Sequence, residues 1–230
     1  MKLRLATNLL ASAIMSFSMV GANHASAASL PGLDDVCLET LLKDCSVSAS
    51  GYASTDSGQR IAYQTQTGFT AENGIKGGLV LFEETAQGWT AFAKAFDGYL
   101  YEIPRIVEHD LTLLHVAGHS GNTGDYNADL LFLWSGEGGV SGSAKWRQID
   151  VSSWIKSIGE SLPSSLEIWK GVDFDFADWF HGDLNARTPL WRADDGNCCP
   201  SGGWATIHFE IKDWALVTTR VDYQPPQKAK

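Results

Sequence analysis

Between Ala205 and Ile211 apolar and polar residues alternate: Ala205, Ile207, Phe209 and Ile211 fall in one phase, Thr206, His208 and Glu210 in the other. A period of two sends the two sets to opposite faces of a β-strand. Lys212-Asp213 supplies a polar turn, and the chain returns from Trp214 to Tyr223 with Val217, Thr219 and Val221 in step, which predicts a closing hairpin. Shorter strand-like runs precede it at 60–67, 78–83, 89–96, 99–102, 111–117, 130–134, 145–149, 166–170 and 189–192, divided by turn-forming residues. This spacing predicts an all-β fold, an antiparallel sandwich or closed barrel of about ten to twelve strands. The strand–helix alternation of a doubly wound sheet is absent.

Two short helices are expected beside the strands. Residues 33–43 carry Asp34 and Asp35 at the front, Lys43 at the end and apolar Leu38, Leu41 and Leu42, a pattern suited to a helix that complements its own dipole. The polar stretch 46–57 reads as a loop. In the second helix Asp150 caps, Ile149 and Trp154 staple, Ile155, Ile158 and Leu162 form an apolar stripe, and Pro163 ends it.

The first 27 residues have the organisation of a secretory signal: Lys2 and Arg4, an apolar run from Leu5 to Val20, then Ala25-Ser26-Ala27. Residues 28–223 are then one β-rich domain and 224–230 a flexible tail, and the mature protein is expected in the periplasm or secreted. No other run approaches the roughly 20 apolar residues of a membrane span, so membrane insertion is not expected. The formal charge of −10 becomes more negative once Lys2 and Arg4 are removed. An acidic chain without a basic patch lacks the footprint of a nucleic-acid binder.

Four cysteines in an exported chain imply two disulfides. On a helix, Cys37 and Cys45 would lie about 12 Å apart, beyond the roughly 7 Å that a disulfide spans. Cys198 and Cys199 are adjacent, and a bridge between them would close an eight-membered ring. Crossed pairings that staple the N-terminal helix to the 198–203 loop are therefore expected. A redox-active vicinal pair is the less favoured alternative.

Candidate chemistry is sparse. Asp125, Asn127 and Asp129 stand at i, i+2 and i+4, like the first three ligands of a calcium loop, but Leu130 and Gly136 occupy the positions where such a loop needs Gly and Glu. A polar Asx turn is the simpler reading, with calcium the one candidate cofactor and none required. Gly118-His119-Ser120-Gly121-Asn122 superficially matches a nucleophile elbow but lacks its last glycine, and no helical pattern follows. Asp173 and Asp175 share a strand phase and could form a carboxylate pair. His208 and Glu210 are expected to be a solvated pair.

Tryptophans are the remaining signal. Trp169, Trp179 and Trp191 flank a weakly patterned, acidic stretch between Gly171 and Cys199. Flat indoles stack on sugar rings or anchor protein partners. The expected function is therefore an exported binding module that recognises a glycan, peptide or envelope partner through Trp169, Asp173, Asp175, Trp179 and Trp191. A secreted hydrolase, using Ser120 or the Asp173/Asp175 pair, is the alternative.

Overall fold

The computed structural model describes residues 29–72, 74–121, 128–136, 145–174, 179 and 181–227. It is all-β. One antiparallel sheet is formed by β1 (Lys43–Ser54), β2 (Arg60–Thr70), β3 (Gly74–Thr85) and β4 (Gly88–Ala95) in that order. A second has the order β10-β9-β7-β6, from β6 (Arg105–Glu108), β7 (Thr112–Val116), β9 (Leu130–Trp134) and β10 (Trp146–Ile149). The third runs β11 (Asp173–Phe174), β12 (Asn185–Pro189), β13 (Trp204–Lys212) and β14 (Ala215–Gln224). β5 (Leu100–Tyr101) pairs with β8 (Gly118–His119) at the margin.

The sheets form three layers. Ile61, Tyr63, Leu79 and Leu81 of the first sheet pack on Leu114, Val116, Phe132 and Trp146 of the second. The opposite face of the second sheet sends Val107, Leu113, Leu131 and Ile149 against Ala186, Ala205, Ile207, Phe209 and Leu216 of the third. A sheet covered on both faces needs apolar residues in both phases. Leu113-Leu114 and Leu130-Leu131-Phe132-Leu133-Trp134 are such uninterrupted runs.

Several expectations are corrected here. Residues 33–43 are not a helix: after one turn, closed by Val36 N–H on Gly32 O, the chain lies across the outer face of the first sheet. Buried Gln64 accepts from Leu38 N–H and donates to Leu33 O and Val36 O, while Gln66 donates to Leu38 O. These amides satisfy the backbone groups that helical bonds would have used, and Glu39 and Asp44 adopt positive φ values of 53° and 47°. Leu41, predicted apolar-side, is 75% exposed. The 46–57 stretch contributes most of edge strand β1, where serines face solvent and the backbone pairs with β2.

The disulfides join Cys37 to Cys45 and Cys198 to Cys199, not the crossed pairs. With the turn in place of a helix, the Cys37 and Cys45 Cα atoms are 6.2 Å apart, within bridging range. Of the expected second helix, the single turn α1 (Ile155–Ile158) forms. Asp150 caps the turn leading into it, accepting from Ser152 and Ser153 N–H, and these donors hold its carboxyl below the usual range. Trp154, Ile158 and Leu162 are buried, whereas Ile155 is exposed. Runs 166–170 and 189–192 are joined by an isolated bridge between Glu167 and Trp191 in place of a strand ladder. The closing hairpin is present, its two-residue turn shifted to Asp213-Trp214 (φ 51° and 65°), and Leu216 rather than Val217 points inward. Positive φ at both positions is the type I′ geometry that matches strand twist.

Candidate functional site

The inner phase of β13, Ala205, Ile207 and Phe209, is buried in the core, so Trp204, Thr206 and His208 belong to the outer face of the third sheet. Register fixes their neighbours, because directly opposed residues of antiparallel strands share a face. Trp204 lies between Pro189 and Gln224, Thr206 between Arg187 and Asp222, and His208 between Asn185 and Arg220. Asp173 of β11 extends the Arg187 row. The result is an open polar platform with one large aromatic side chain.

Trp204 is 43% exposed, and the Arg187 guanidinium lies 4.5 Å from its ring centre, a cation–π contact. Beside it Pro200, Ser201, Gly203, Gln224 and 225–227 close a groove of about 390 Å³. The groove wall depends on Gly203 (φ 95°), where a Cβ would collide with Gln224 O as the chain leaves β14. Tyr223 donates its hydroxyl to Gly202 O at 3.0 Å and ties the 202–203 turn to the same strand.

At the other end of the platform His208 is clamped. Its Nδ1 lies 3.0 Å from Asp183 Oδ1; its Nε2 lies 3.0 Å from Asp222 Oδ2 and 2.8 Å from Arg220 Nη2. Nδ1–H donates to Asp183, and this bond is the main reason that the Asp183 carboxyl is held below its ordinary value. Nε2 accepts from Arg220 when the ring is neutral and donates to Asp222 when it is protonated. The cluster thus carries two alternative bond sets without moving a side chain. His208 and Glu210 do share a strand face, but His208 is only 9% exposed and is engaged by aspartates.

The sequence-predicted binding residues separate into surface and core. Asp173 is exposed on the platform. Trp169 is 41% exposed and stacks on Trp191, with ring centres 5.8 Å apart and planes 10° apart, while its indole N–H donates to Glu167. Trp191 is 2% exposed and Trp179 1%, so neither indole presents a face to a ligand. Trp179 supports the platform from beneath, donating to Asn185 O at 3.0 Å and packing edge-on against His115 and Phe174. Asp175 lies outside the described residues.

The other candidate chemistries are not assembled by the described residues. Asp125 and Asn127 lie outside them. Asp129 is buried, accepts from Gly118 N–H at 2.6 Å and faces His115 Nε2 at 3.5 Å. Among the described residues no group of three His, Cys, Asp or Glu side chains is arranged to hold a metal ion. Ser120 follows β8, and His208 has both ring nitrogens facing carboxylates. No described helix is long and apolar enough to cross a membrane.

Sequence reasoning missed Trp204, Arg187, Asp183, Arg220, Asp222 and Gln224. One signal was legible: Trp204 precedes Ala205 and so falls in the polar phase of the hairpin, where a tryptophan is out of place. No family model matches the chain, and no curated protein or solved structure matches it.

Proposed function

We propose that the protein is an exported glycan-binding module whose ligand lies across the outer face of the third sheet, centred on Trp204. The observation that carries this reading is the exposed Trp204 ring on a sheet face of mostly polar side chains, held by Arg187 and bordered by the groove of Pro200 and Gln224. An indole covers the C–H face of a sugar ring, and planar guanidinium, amide and carboxylate groups around it match ring hydroxyls as donors and acceptors. A groove of about 390 Å³ is of a size to enclose a small ligand. Asp173, Arg187, Asp222 and Gln224 supply both donors and acceptors in adjacent rows. The two disulfides fit an oxidising compartment, as export to the periplasm or exterior requires.

The test is a panel of soluble oligosaccharides, neutral and acidic, titrated into the mature protein with intrinsic tryptophan fluorescence and calorimetry as readouts. One class should bind, and Trp204→Ala should weaken it at least about tenfold, which corresponds to about 1.4 kcal/mol. Binding of no oligosaccharide, or equal binding by Trp204→Ala, overturns the reading.

A further inference from the structure

The two disulfides differ in what they do for the fold. Cys37–Cys45 is half-buried and fastens the N-terminal turn to the start of β1. Cys198–Cys199 links neighbours whose Cα atoms are already 3.8 Å apart, so it joins no two elements. Closing so small a ring removes little freedom from the unfolded chain, whose loss on cross-linking grows with loop length. Both of its cysteines are exposed, open to a reagent in solution.

The loop that carries it is held by other means. The Asp195 carboxylate accepts from Arg192 N–H at 2.7 Å, from Ser201 N–H at 2.8 Å and from the Ser201 hydroxyl at 2.6 Å. The Arg192 guanidinium donates to the Ser201 carbonyl and hydroxyl oxygens. Cys199 N–H donates to Gly196 O at 3.0 Å. This clamp joins the two ends of the loop across the cysteines without using either sulfur.

A bond that staples nothing, lies in solvent and sits on an independently fixed scaffold is placed for exchange. We propose that Cys198–Cys199 is a thiol–disulfide exchange site that takes a protein dithiol as its partner. A thiolate of the partner attacks one Sγ, forming a mixed disulfide and releasing the other Sγ as a thiolate. The partner's second thiol then attacks the mixed disulfide and releases the second cysteine. Cys198 and Cys199 together gain two electrons and two protons; the partner loses the same and becomes a disulfide. The exchange requires no ligand on the Trp204 face, although Pro200 and Ser201 of the same loop border its groove.

The purified mature protein is equilibrated with graded ratios of reduced to oxidised dithiothreitol, quenched with N-ethylmaleimide and mapped by mass spectrometry. Cys198 and Cys199 should be alkylated at a ratio about tenfold lower than Cys37 and Cys45, with tryptophan fluorescence unchanged at that point. A thioredoxin whose resolving cysteine is replaced by serine should be trapped on Cys198 or Cys199. Joint reduction of both bridges, earlier reduction of Cys37–Cys45, or absence of the trapped species overturns the proposal. The Cys198→Ser/Cys199→Ser double variant should melt within about 1 °C of the parent; a large loss would assign the bridge a structural role and overturn it as well.

Discussion

The first and third sheets are the two outer layers of the stack, and they treat their outward faces oppositely. On the first sheet Ala62, Val80 and Phe82 face outward and are covered by Leu33, with Leu30 and Leu38 packed around them. On the third sheet the equivalent face carries Trp204, Thr206 and His208; the 225–227 stretch borders it at one margin and Asp183 closes on His208 at the other, while Trp204 stays 43% exposed. The difference lies in side-chain chemistry. An apolar outer face must be sealed from water, and the chain spends its N-terminal segment, two buried glutamines and a disulfide in doing so. A polar face with an exposed indole is stable open, as the proposed binding role requires.

Breaking the seal should have the largest effect. Gln64→Ala removes the acceptor of Leu38 N–H and the donor to Leu33 O and Val36 O in a buried setting, and about 3 kcal/mol of stability should be lost in urea melts. Opening Cys37–Cys45 by double serine substitution should cost about 2.5 kcal/mol for a bridge eight residues apart in sequence, measured the same way. Next comes Gly68→Ala. Its Cβ would stand 2.7 Å from Leu42 Cβ and Lys43 O, where the covering segment crosses β2, and about 2 kcal/mol of overpacking is expected in thermal melts.

Changes on the open face should leave stability nearly intact and sharpen the contrast. Trp204→Ala should shift the urea midpoint by less than about 1 kcal/mol equivalent while weakening the proposed glycan binding at least about tenfold. The smallest effect is a pH dependence. Asp183 is held below its ordinary value of 3.8 by the His208 hydrogen bond. The stability it contributes is therefore present above that value and is lost as pH falls through the lower folded-state value. Its side chain is half exposed, so screening keeps the contribution small. Asp183→Asn should flatten the acid limb of the stability curve below about pH 4, and an unchanged limb would show that the clamp carries no linkage.

Legibility followed the range of the interactions involved. The closing hairpin, β2, β3, β7 and β9 were readable because each declares itself in a few residues of alternation or continuous apolar sequence. The 33–43 segment misled because its charge order suits a helix, while its actual partners, Gln64 and Gln66, lie more than 25 residues away. The disulfide pairing followed that error, since the 6.2 Å approach of Cys37 and Cys45 exists only if the segment turns. Trp179 and Trp191 had the composition of a binding surface but face the core, whereas Trp204 carried a legible sign in its phase.

The sequence by itself determined the class of the fold, the turn-divided strands, the oxidisable cysteines and the alternation that separates the inner and outer faces of the closing hairpin, because these depend on residues close along the chain. Tertiary structure alone decided that the middle sheet is covered on both sides, that the N-terminal segment seals one outer face, and that Asp183, His208, Arg220 and Asp222 meet on the other. Those outcomes rest on the pairing of strands far apart in sequence, where register, not local pattern, sets which side chains become neighbours.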